Sequence, residues 1–365
     1  QADDGIRDVE RSRGLGDVYK RQTSFPSSPS ERDVYYRDDK HTLYVYDGTT
    51  WVALKADGLS VAASDASDLD KARADYICDG TADDVEIQAA IDAITGAGTV
   101  HLYAGTYTLA SSIALKSGIT IEGVYPVKKN IQPQSPDMYP ATVVDGTILK
   151  GDGTFAAITG SELHGVGLEN LAFKDFTYGI TFGDTDVMGC AFSDFEGLFF
   201  DNITTTAIKL VNTQHLHFKT VNAVLPQGAK FLHVINDNPV WDGSNSIYDN
   251  FYCVGAKKTD GVYEFEAKQG SLTWNLMLRP QVCMWDDEGT SAGEGVGIRL
   301  GHKVVGMTII GADIEGSPDT AIELKGYSRQ HYIELATYQT DYATGKAVHF
   351  VRYEHDGTWG DPRYN

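Results

Sequence analysis

The sequence is poor in basic residues and in long apolar runs. Its 365 residues contain 30 Lys and Arg against 51 Asp and Glu, which gives a net charge of −21. Because nucleic acid and anionic membrane surfaces both need a basic stripe, we expect neither as a partner. No run of about 18 apolar residues is present, and residues 1–30 lack an apolar leader core. The sequence therefore predicts no membrane insertion and, as given, no Sec-dependent export.

Cysteine is scarce and widely spaced. The four cysteines, at 78, 190, 253 and 283, form no C-x-x-C pair and have no histidine at ligand spacing. This spacing argues against a zinc site or a disulfide framework, and we expect Cys190 and Cys253 to pack as small apolar side chains. Serine hydrolase, P-loop, zinc protease and dinucleotide-binding fingerprints are also missing, which leaves carboxylates and aromatics as the candidates for chemistry.

The N-terminal quarter of the chain divides into three segments of different composition. Residues 1–30 mix charges with Gly, Pro and Ser and are predicted to be disordered. Within them SRGLGDVYKRQ (12–22) resembles read-through of a sequencing adapter, so residues 1–22 are given no function. Residues 31–54 alternate aromatic and β-branched residues around an Asp-Gly turn, which predicts a small β-meander. Residues 55–78 are small and polar and are predicted to be a linker.

A helix is predicted within residues 79–98. Asp83 and Glu86 have capping-box spacing, and Ile87, Ala90, Ile91 and Ile94 recur on one face before a glycine stop. Apolar pairs in residues 99–124 then predict short strands that turn every five to ten residues.

These two segments carry a family resemblance. The order DGTADDVEIQAAIDA, GAGTVHLYAGTY, SSIALKSGITIEG resembles the N-terminal cap and first coil of the pectate-lyase-like right-handed parallel β-helix superfamily, in the form found in phage tail spikes. Residues 33–54 resemble β segments near the N-termini of phage tail proteins. The resemblance implies an all-β fold, a single-stranded right-handed parallel β-helix over 79–365 with an amphipathic helix covering its open end, and a homotrimer.

An apolar-x-apolar triplet repeats through the rest of the chain and supports stacked coils. It begins at Ile180, Ile208, Leu232, Tyr263, Ile298, Ile322 and Val348, at spacings of 28, 24, 31, 35, 24 and 26 residues. Second strands are predicted at Cys190–Phe192, Leu216–Phe218, Leu276–Leu278, Met307–Ile309 and Ile333–Leu335. The pattern predicts at least seven coils after the capped start.

Stacking would align the central residues of the triplets in one outward column. The column reads Thr181, Lys209, His233, Glu264, Arg299, Glu323 and His349. Charges alternate along Glu264, Arg299 and Glu323, and unlike pairs on adjacent strands stabilise by roughly 0.2–1 kcal/mol. We expect a solvated ladder or a subunit contact in preference to a catalytic row.

The candidate catalytic pair is Asp313 and Glu315. Ile314 between them should point inward and leave both carboxyl groups outward, at a separation that glycosidases use. In such enzymes one carboxyl group protonates the leaving oxygen while the other activates water or attacks. The same segment, GADIEG, is also typical of a structural coil.

The candidate substrate-binding residues cluster one coil earlier. Trp285, Asp286, Asp287 and Glu288 could form a sugar-stacking platform with an acid, or a Ca²⁺ site of hard oxygen ligands, although a solvated acidic loop is the commoner outcome for such a cluster. Arg279 is the nearest cation for a lyase, although an ordinary ion pair is the commoner role for such a residue. Apart from this Ca²⁺ alternative, we expect no cofactor or metal.

Histidines and aromatics at coil edges complete the candidates. His215 and His217 flank Leu216 and should face outward together, either as exposed polar residues or as two ligands of a metal that lacks a third. Trp241, Tyr327 and Tyr332 are expected at loops or coil edges, where exposed aromatics favour glycan stacking or a subunit contact.

Together these features predict a tail-spike or tail-fibre-like virion protein that recognises host surface polysaccharide. Depolymerase activity is left open, and the N-terminal segment would attach to other tail or virion proteins. The alternatives are a secreted polysaccharide lyase or glycoside hydrolase on the same fold, and a non-catalytic adhesive β-helix.

Overall fold

The computed structural model describes residues 24–37, 42–53, 58–129, 142–240, 242–255, 261–284, 295–315, 320–338 and 349–354. Strands dominate these residues, and two helices, α1 (Asp68–Arg73) and α2 (Asp84–Ala93), lie near the start. No helix in the described part combines the length and hydrophobicity needed to cross a bilayer.

The described part of the chain contains 31 strands. In chain order they are β1 (Val34–Arg37), β2 (Thr42–Tyr46), β3 (Trp51–Ala53), β4 (Leu59–Ala62), β5 (Tyr76–Ile77), β6 (Gly98–Leu102), β7 (Gly105–Thr108), β8 (Ile113–Ala114), β9 (Ile119–Glu122), β10 (Val127–Lys129), β11 (Thr142–Asp145), β12 (Thr147–Lys150), β13 (Ala156–Gly160), β14 (Leu163–His164), β15 (Gly167–Glu169) and β16 (Ala172–Phe182). The remaining strands are β17 (Cys190–Val211), β18 (Gln214–Leu225), β19 (Lys230–Asp237), β20 (Gly243–Ser244), β21 (Ile247–Gly255), β22 (Tyr263–Gln269), β23 (Leu272–Thr273), β24 (Leu276–Leu278), β25 (Gln281–Cys283), β26 (Val296–Leu300), β27 (Val304–Val305), β28 (Thr308–Glu315), β29 (Thr320–Lys325), β30 (Tyr332–Tyr338) and β31 (His349–Glu354).

Most strands belong to one parallel sheet of 23 strands, and their pairing forms three ladders. The first ladder runs β4–β6–β9–β15–β17–β18–β21–β24–β28–β30. The second runs β7–β12–β16–β17–β18–β21–β25–β28–β30. The third runs β8–β13–β16–β17–β19–β22–β26–β29–β31. The chain visits the ladders in this order once per coil, which is consistent with a parallel β-helix.

The core lies between the ladders. One inward column of the third ladder consists of Ile113, Ile158, Ile180, Ile208, Leu232, Tyr263, Ile298 and Ile322, all fully buried and in register. Each such side chain stabilises the fold by about 1.5–3 kcal/mol relative to exposure. In the first ladder the rings of Phe195 and Phe218 stack with centroids 4.3 Å apart. The four cysteines are buried and free, in agreement with the packing prediction.

The segment before the parallel sheet agrees in part with the sequence analysis. Strands β1, β2 and β3 form the predicted antiparallel meander. The linker prediction for residues 55–78 is wrong from Leu59 onward, because β4 pairs with β5 and β6 and begins the first ladder. Its side chains are small, as Ala62 and Ala63 show, yet both are fully buried.

Helix α2 is present, but its predicted capping box is wrong. The carboxylate of Asp83 makes no cap hydrogen bond within the helix. It accepts hydrogen bonds from the backbone N–H groups of Gly80 and Thr108, each at 2.8 Å. Asp84 likewise accepts from the N–H of Ala110 at 2.8 Å. These contacts fasten α2 to the strand region that follows, while Ile87 and Ile91 are fully buried.

Six of the seven predicted triplets share one register, and the last does not. Glu323 pairs with Arg352 and Thr320 with His349, so the seventh triplet is Val351-Arg352-Tyr353 in place of Val348-His349-Phe350. The chain has two consecutive apolar-x-apolar triplets here, and the structure uses the one that continues the alternation of charge. The second strand predicted at Leu276–Leu278 is present as β24, and Met277 is its fully buried residue.

Candidate functional site

A corner of the coils holds a row of residues in the left-handed backbone conformation. This corner row comprises Gly165, Phe192, His215, Asn245, Trp274, Gly306 and Gln330, with φ between 52° and 69°. The register of the flanking strands places one row member on each successive coil. The chain turns here to enter the first ladder, which requires this backbone conformation at every step.

Two members of the corner row are bulky aromatics, which rarely adopt positive φ. Phe192 is 60% exposed and Trp274 is 63% exposed. Such backbone positions cost on the order of 1–3 kcal/mol and persist where the surrounding structure imposes them. The left-handed turn at Phe192, the last residue of the predicted second strand Cys190–Phe192, directs its ring to solvent.

Neighbouring residues hold both rings in place. The Phe192 ring stacks between His164 and His215, with centroid separations of 6.5 and 4.8 Å and interplanar angles of 20° and 8°. The Trp274 indole lies over Gly306, where a Cβ atom would come within 2.7 Å of Cε3. The exposed rings are therefore ordered, and Trp274 leans along the stack toward the next coil.

The row continues toward the C-terminal coils. Phe192 and Trp274 are three strand steps apart, which is about 14 Å at 4.8 Å per step. Tyr332 follows Gln330 by two residues and is 57% exposed, and its hydroxyl donates to Glu334 at 3.2 Å. The predicted site residue Tyr327 lies close by, half-buried, beneath the guanidinium of Arg329.

The second feature is a charge network on the third ladder. Glu264, Arg299 and Glu323 occupy consecutive strands in register, as predicted, but all three are buried. Arg299 Nη1 lies 3.4 Å from Glu264 Oε1, and Arg299 Nε donates to Glu323. The expectation of a solvated ladder is therefore wrong for these members.

Further charges extend the network at Glu264. Lys230 pairs with Glu264, and His233 Nε2 lies 3.6 Å from Glu264 Oε2 and 3.1 Å from Glu266 Oε1. The hydrogen bond from His233 is the main reason that the pKa of Glu266 lies below its usual value. His233, Glu264 and Glu266 could together offer three metal-ligand atoms. Because Lys230 and Arg299 already neutralise Glu264, the arrangement is better described as an ion-pair network.

The third feature is an acidic patch on the first ladder. Glu122, Glu169 and Glu196 lie on adjacent strands in register. Burial and these like-charged neighbours raise the pKa of Glu169 above its usual value. His101 at 2.9 Å from Glu122 and Lys219 at 2.7 Å from Glu196 offset part of the repulsion.

The proposed catalytic pair lies on the second ladder, away from the charge network. Asp313 is half-buried, pairs in register with Gln281 and Thr337, and precedes a fully buried Ile314, as the alternation predicted. The side chain of Glu315 lies outside the described part of the structure, so the pairing of the two carboxyl groups stays a prediction.

The other predicted residues have different outcomes. Trp241 and the whole cluster Trp285, Asp286, Asp287 and Glu288, with its Ca²⁺ alternative, lie outside the described residues. Arg279 is 64% exposed along its side chain and makes an ion pair with Asp249 at 2.6 Å. His215 and His217 both face outward, but one stacks on Phe192 and the other lies 3.6 Å from Asp194, so each has its own partner.

Comparisons with known proteins show only distant likenesses. No family model matches the chain, and no curated protein matches it significantly. Among solved structures, ORF18 of Geobacillus virus E2 is 12% identical with a TM-score of 0.37, covering 84% of this chain and 69% of its own. A mutant DFA-IIIase from Arthrobacter chlorophenolicus A6 is 11% identical with a TM-score of 0.42, covering 81% and 92%. A mutant tailspike protein of E. coli bacteriophage HK620 is 13% identical with a TM-score of 0.31, covering 74% and 61%. At these values the likenesses assign neither substrate nor activity to this chain.

Proposed function

We propose that this chain is a phage tail-spike or tail-fibre-like protein that binds cell-surface polysaccharide along the corner row. One observation supports the proposal most: Phe192 and Trp274 are ordered, highly exposed rings at backbone positions that strongly disfavour them. A fold gains nothing from exposing two large apolar rings at a cost in backbone energy. Residues of this kind are typical of ligand contacts.

The chemistry around the rings favours a glycan. Exposed polar groups alternate with the aromatic residues along the row, namely His215, Asn245 and Gln330. Sugar rings present apolar faces for stacking and hydroxyl edges for hydrogen bonds, so they match this alternation. A protein partner would favour a broader and continuous apolar patch.

Substitution of the two rings tests the site. A polysaccharide array first identifies a glycan that the wild-type protein binds. We expect Phe192→Ala and Trp274→Ala each to weaken binding of that glycan at least fivefold, which corresponds to about 1 kcal/mol. Tyr125→Ala is the matched control, because Tyr125 is 49% exposed and contacts the region of Gly197 on another corner. Wild-type affinity in both row variants, or the same loss in the control, would contradict the proposal.

Cleavage of the bound glycan by Asp313 and Glu315 is a second proposal. The outward direction of Asp313 beside the inward Ile314 supports it. Release of reducing ends or of unsaturated uronates should disappear in a variant with Asp313→Asn and Glu315→Gln. Product release from that variant would refute the assignment, and binding without any product from the wild type would favour a non-catalytic adhesin. The alternative of a secreted lyase or hydrolase likewise requires that the isolated protein release product from the glycan without any phage particle.

The finer description of the assembly belongs to the same proposal. We take the stack of coils as a right-handed parallel β-helix with α2 as its N-terminal cap, preceded by the meander β1–β3 as a segment that attaches to other virion proteins. The buried Ile87 and Ile91 of α2 support its capping role. A homotrimer is expected, and light scattering of the full chain should give three times 39.8 kDa. A monomeric mass would reject the trimer without rejecting the glycan site.

A further inference from the structure

Arg329 stands out at the C-terminal end of the corner row because no carboxylate among the described residues neutralises its charge. Its guanidinium carbon lies 4.5 Å from the centroid of the Tyr327 ring. Its buried Nε atom has no hydrogen-bond partner in the part of the chain that the structure describes. An unsatisfied buried donor on a charged group is costly, and native structures retain few of them.

Other arginines on the same stack of coils behave differently. Arg279 pairs with Asp249 at 2.6 Å, and Arg299 pairs with Glu264 and Glu323. In a chain with a net charge of −21, carboxylates are abundant, so an arginine that pairs with none among the described residues is conspicuous.

The register places Arg329 on the coil after Gly306, two strand steps from Thr273. Thr273, Val305 and Arg329 are aligned on successive coils, and Trp274 and Gly306 follow Thr273 and Val305 directly. The N–H of Gly306 donates to the carbonyl of Arg329 at 3.0 Å. Because the Trp274 indole lies over Gly306, it reaches toward the coil that carries Arg329.

The nearby titratable groups are occupied by other contacts. The Nδ1 atoms of His302 and His331 accept hydrogen bonds from the backbone N–H groups of Tyr327 and Met307, at 3.3 and 3.2 Å. The carboxylate of Glu334 accepts from the hydroxyl of Tyr332. Tyr327 lies beneath the guanidinium of Arg329, and none of these groups is paired with that guanidinium among the described residues.

We infer that Arg329, held on Tyr327 beside Trp274, binds an anionic group of the polysaccharide, so that the ligand is an acidic glycan. This inference rests on the proposed function and adds its substrate class. The planar fork of arginine matches a carboxylate or a phosphate oxyanion in a bidentate geometry, while Trp274 would stack on the sugar that carries or neighbours it. Such an ionic contact would also make binding weaken with salt.

The test uses the full chain on an array of acidic and neutral polysaccharides, in which each uronic-acid polymer is paired with its carboxyl-reduced form and phosphorylated polymers are included. We expect binding to an acidic polymer and at least tenfold weaker binding to its reduced form. Arg329→Gln should lower affinity for the acidic polymer at least tenfold and remove the salt dependence, while Arg329→Lys retains part of both. Arg73→Gln, which removes an exposed arginine on helix α1 away from the corner row, should bind as the wild type does.

The outcomes distinguish a failure of the acidic-glycan inference from a failure of the proposed glycan-binding function. Carboxylate and phosphate ligands are distinguished by which polymers bind. Binding to neutral polymers alone overturns the acidic-glycan inference and leaves the proposed function standing. Binding to no polymer overturns both. Equal affinity of the wild type and both Arg329 variants for the acidic polymer rejects Arg329 as the anion contact. Equal affinity of the wild type for the acidic and the carboxyl-reduced polymer rejects it as well, and this comparison does not depend on the folding of any variant.

Discussion

Replacing Arg299 with methionine should destabilise the protein far more than an ordinary surface change. Arg299 lies between two buried carboxylates, with exposures of 8% for Arg299, 7% for Glu264 and 0% for Glu323. Removing one partner of a buried ion pair leaves an uncompensated charge and typically costs about 3–5 kcal/mol. After this substitution Glu323 still has Lys325 at 3.6 Å, and Glu264 still has Lys230.

Urea unfolding followed by fluorescence and circular dichroism measures this effect. Small proteins have m values of about 1–3 kcal/mol/M, and a value on the order of 4 for this larger chain converts the loss into a midpoint shift of about 1 M. Arg279→Met is the matched control, because its exposed ion pair should be worth about 0–1 kcal/mol.

A triple variant separates charge from packing. Glu264→Gln, Arg299→Met and Glu323→Gln together remove the buried charges, and we expect part of the lost stability to return. If Arg299→Met costs no more than Arg279→Met at neutral pH, the buried network does not hold the third ladder together and our interpretation of it is wrong.

Three further predictions concern single residues. Burial lowers the pKa of His331 from its usual 6.5 to about 4, so the unfolded chain binds the proton first and stability is lost as pH falls from 6.5 toward 4. At 1.36 kcal/mol per pH unit the full loss is about 3 kcal/mol, and His331→Gln should flatten that part of a stability profile measured against pH; an unchanged slope would refute it. Asp83→Asn should cost about 1–3 kcal/mol in chemical denaturation, because one amide oxygen cannot accept from both Gly80 and Thr108; unaltered stability would show that these two bonds do not fasten α2. Gly306→Ala should lower the melting temperature and weaken glycan binding together, since its φ is +69° and its Cβ would meet Trp274; a normal affinity would remove Trp274 from the site.

The coil register could be predicted from sequence wherever one residue alternation was available. The inward column from Ile180 to Ile322 follows from the apolar triplets, because each coil must return an apolar residue to the same ladder. Near the C-terminal end two consecutive apolar-x-apolar triplets compete, and the backbone register aligns Arg352 with Glu323. At Leu276-Met277-Leu278 all three residues are apolar, so the sequence pattern does not indicate which side chains point into the core.

The site was less predictable because its residues depend on a turn conformation. Tyr327 and Tyr332 could be placed at coil edges from their flanking glycine and polar residues. Phe192 and Trp274 could not, since a left-handed backbone position is signalled by Gly or Asn and not by bulky rings. Gly165, Asn245 and Gly306 occupy the same corner position on other coils and indicate a left-handed backbone there, but this is apparent only after the coils are aligned.

The corner row also bears on how a long polymer could be held. Every coil offers the same backbone angle at this edge, about 4.8 Å from the last, yet a different side chain. A repeating polymer that moved by one coil along this edge would still follow the same backbone line, but its substituents would no longer align with the aromatic rings and with the charge of Arg329. Such an edge holds a chain in one frame, and recognition then depends on the order of substituents along the polymer as much as on their identity.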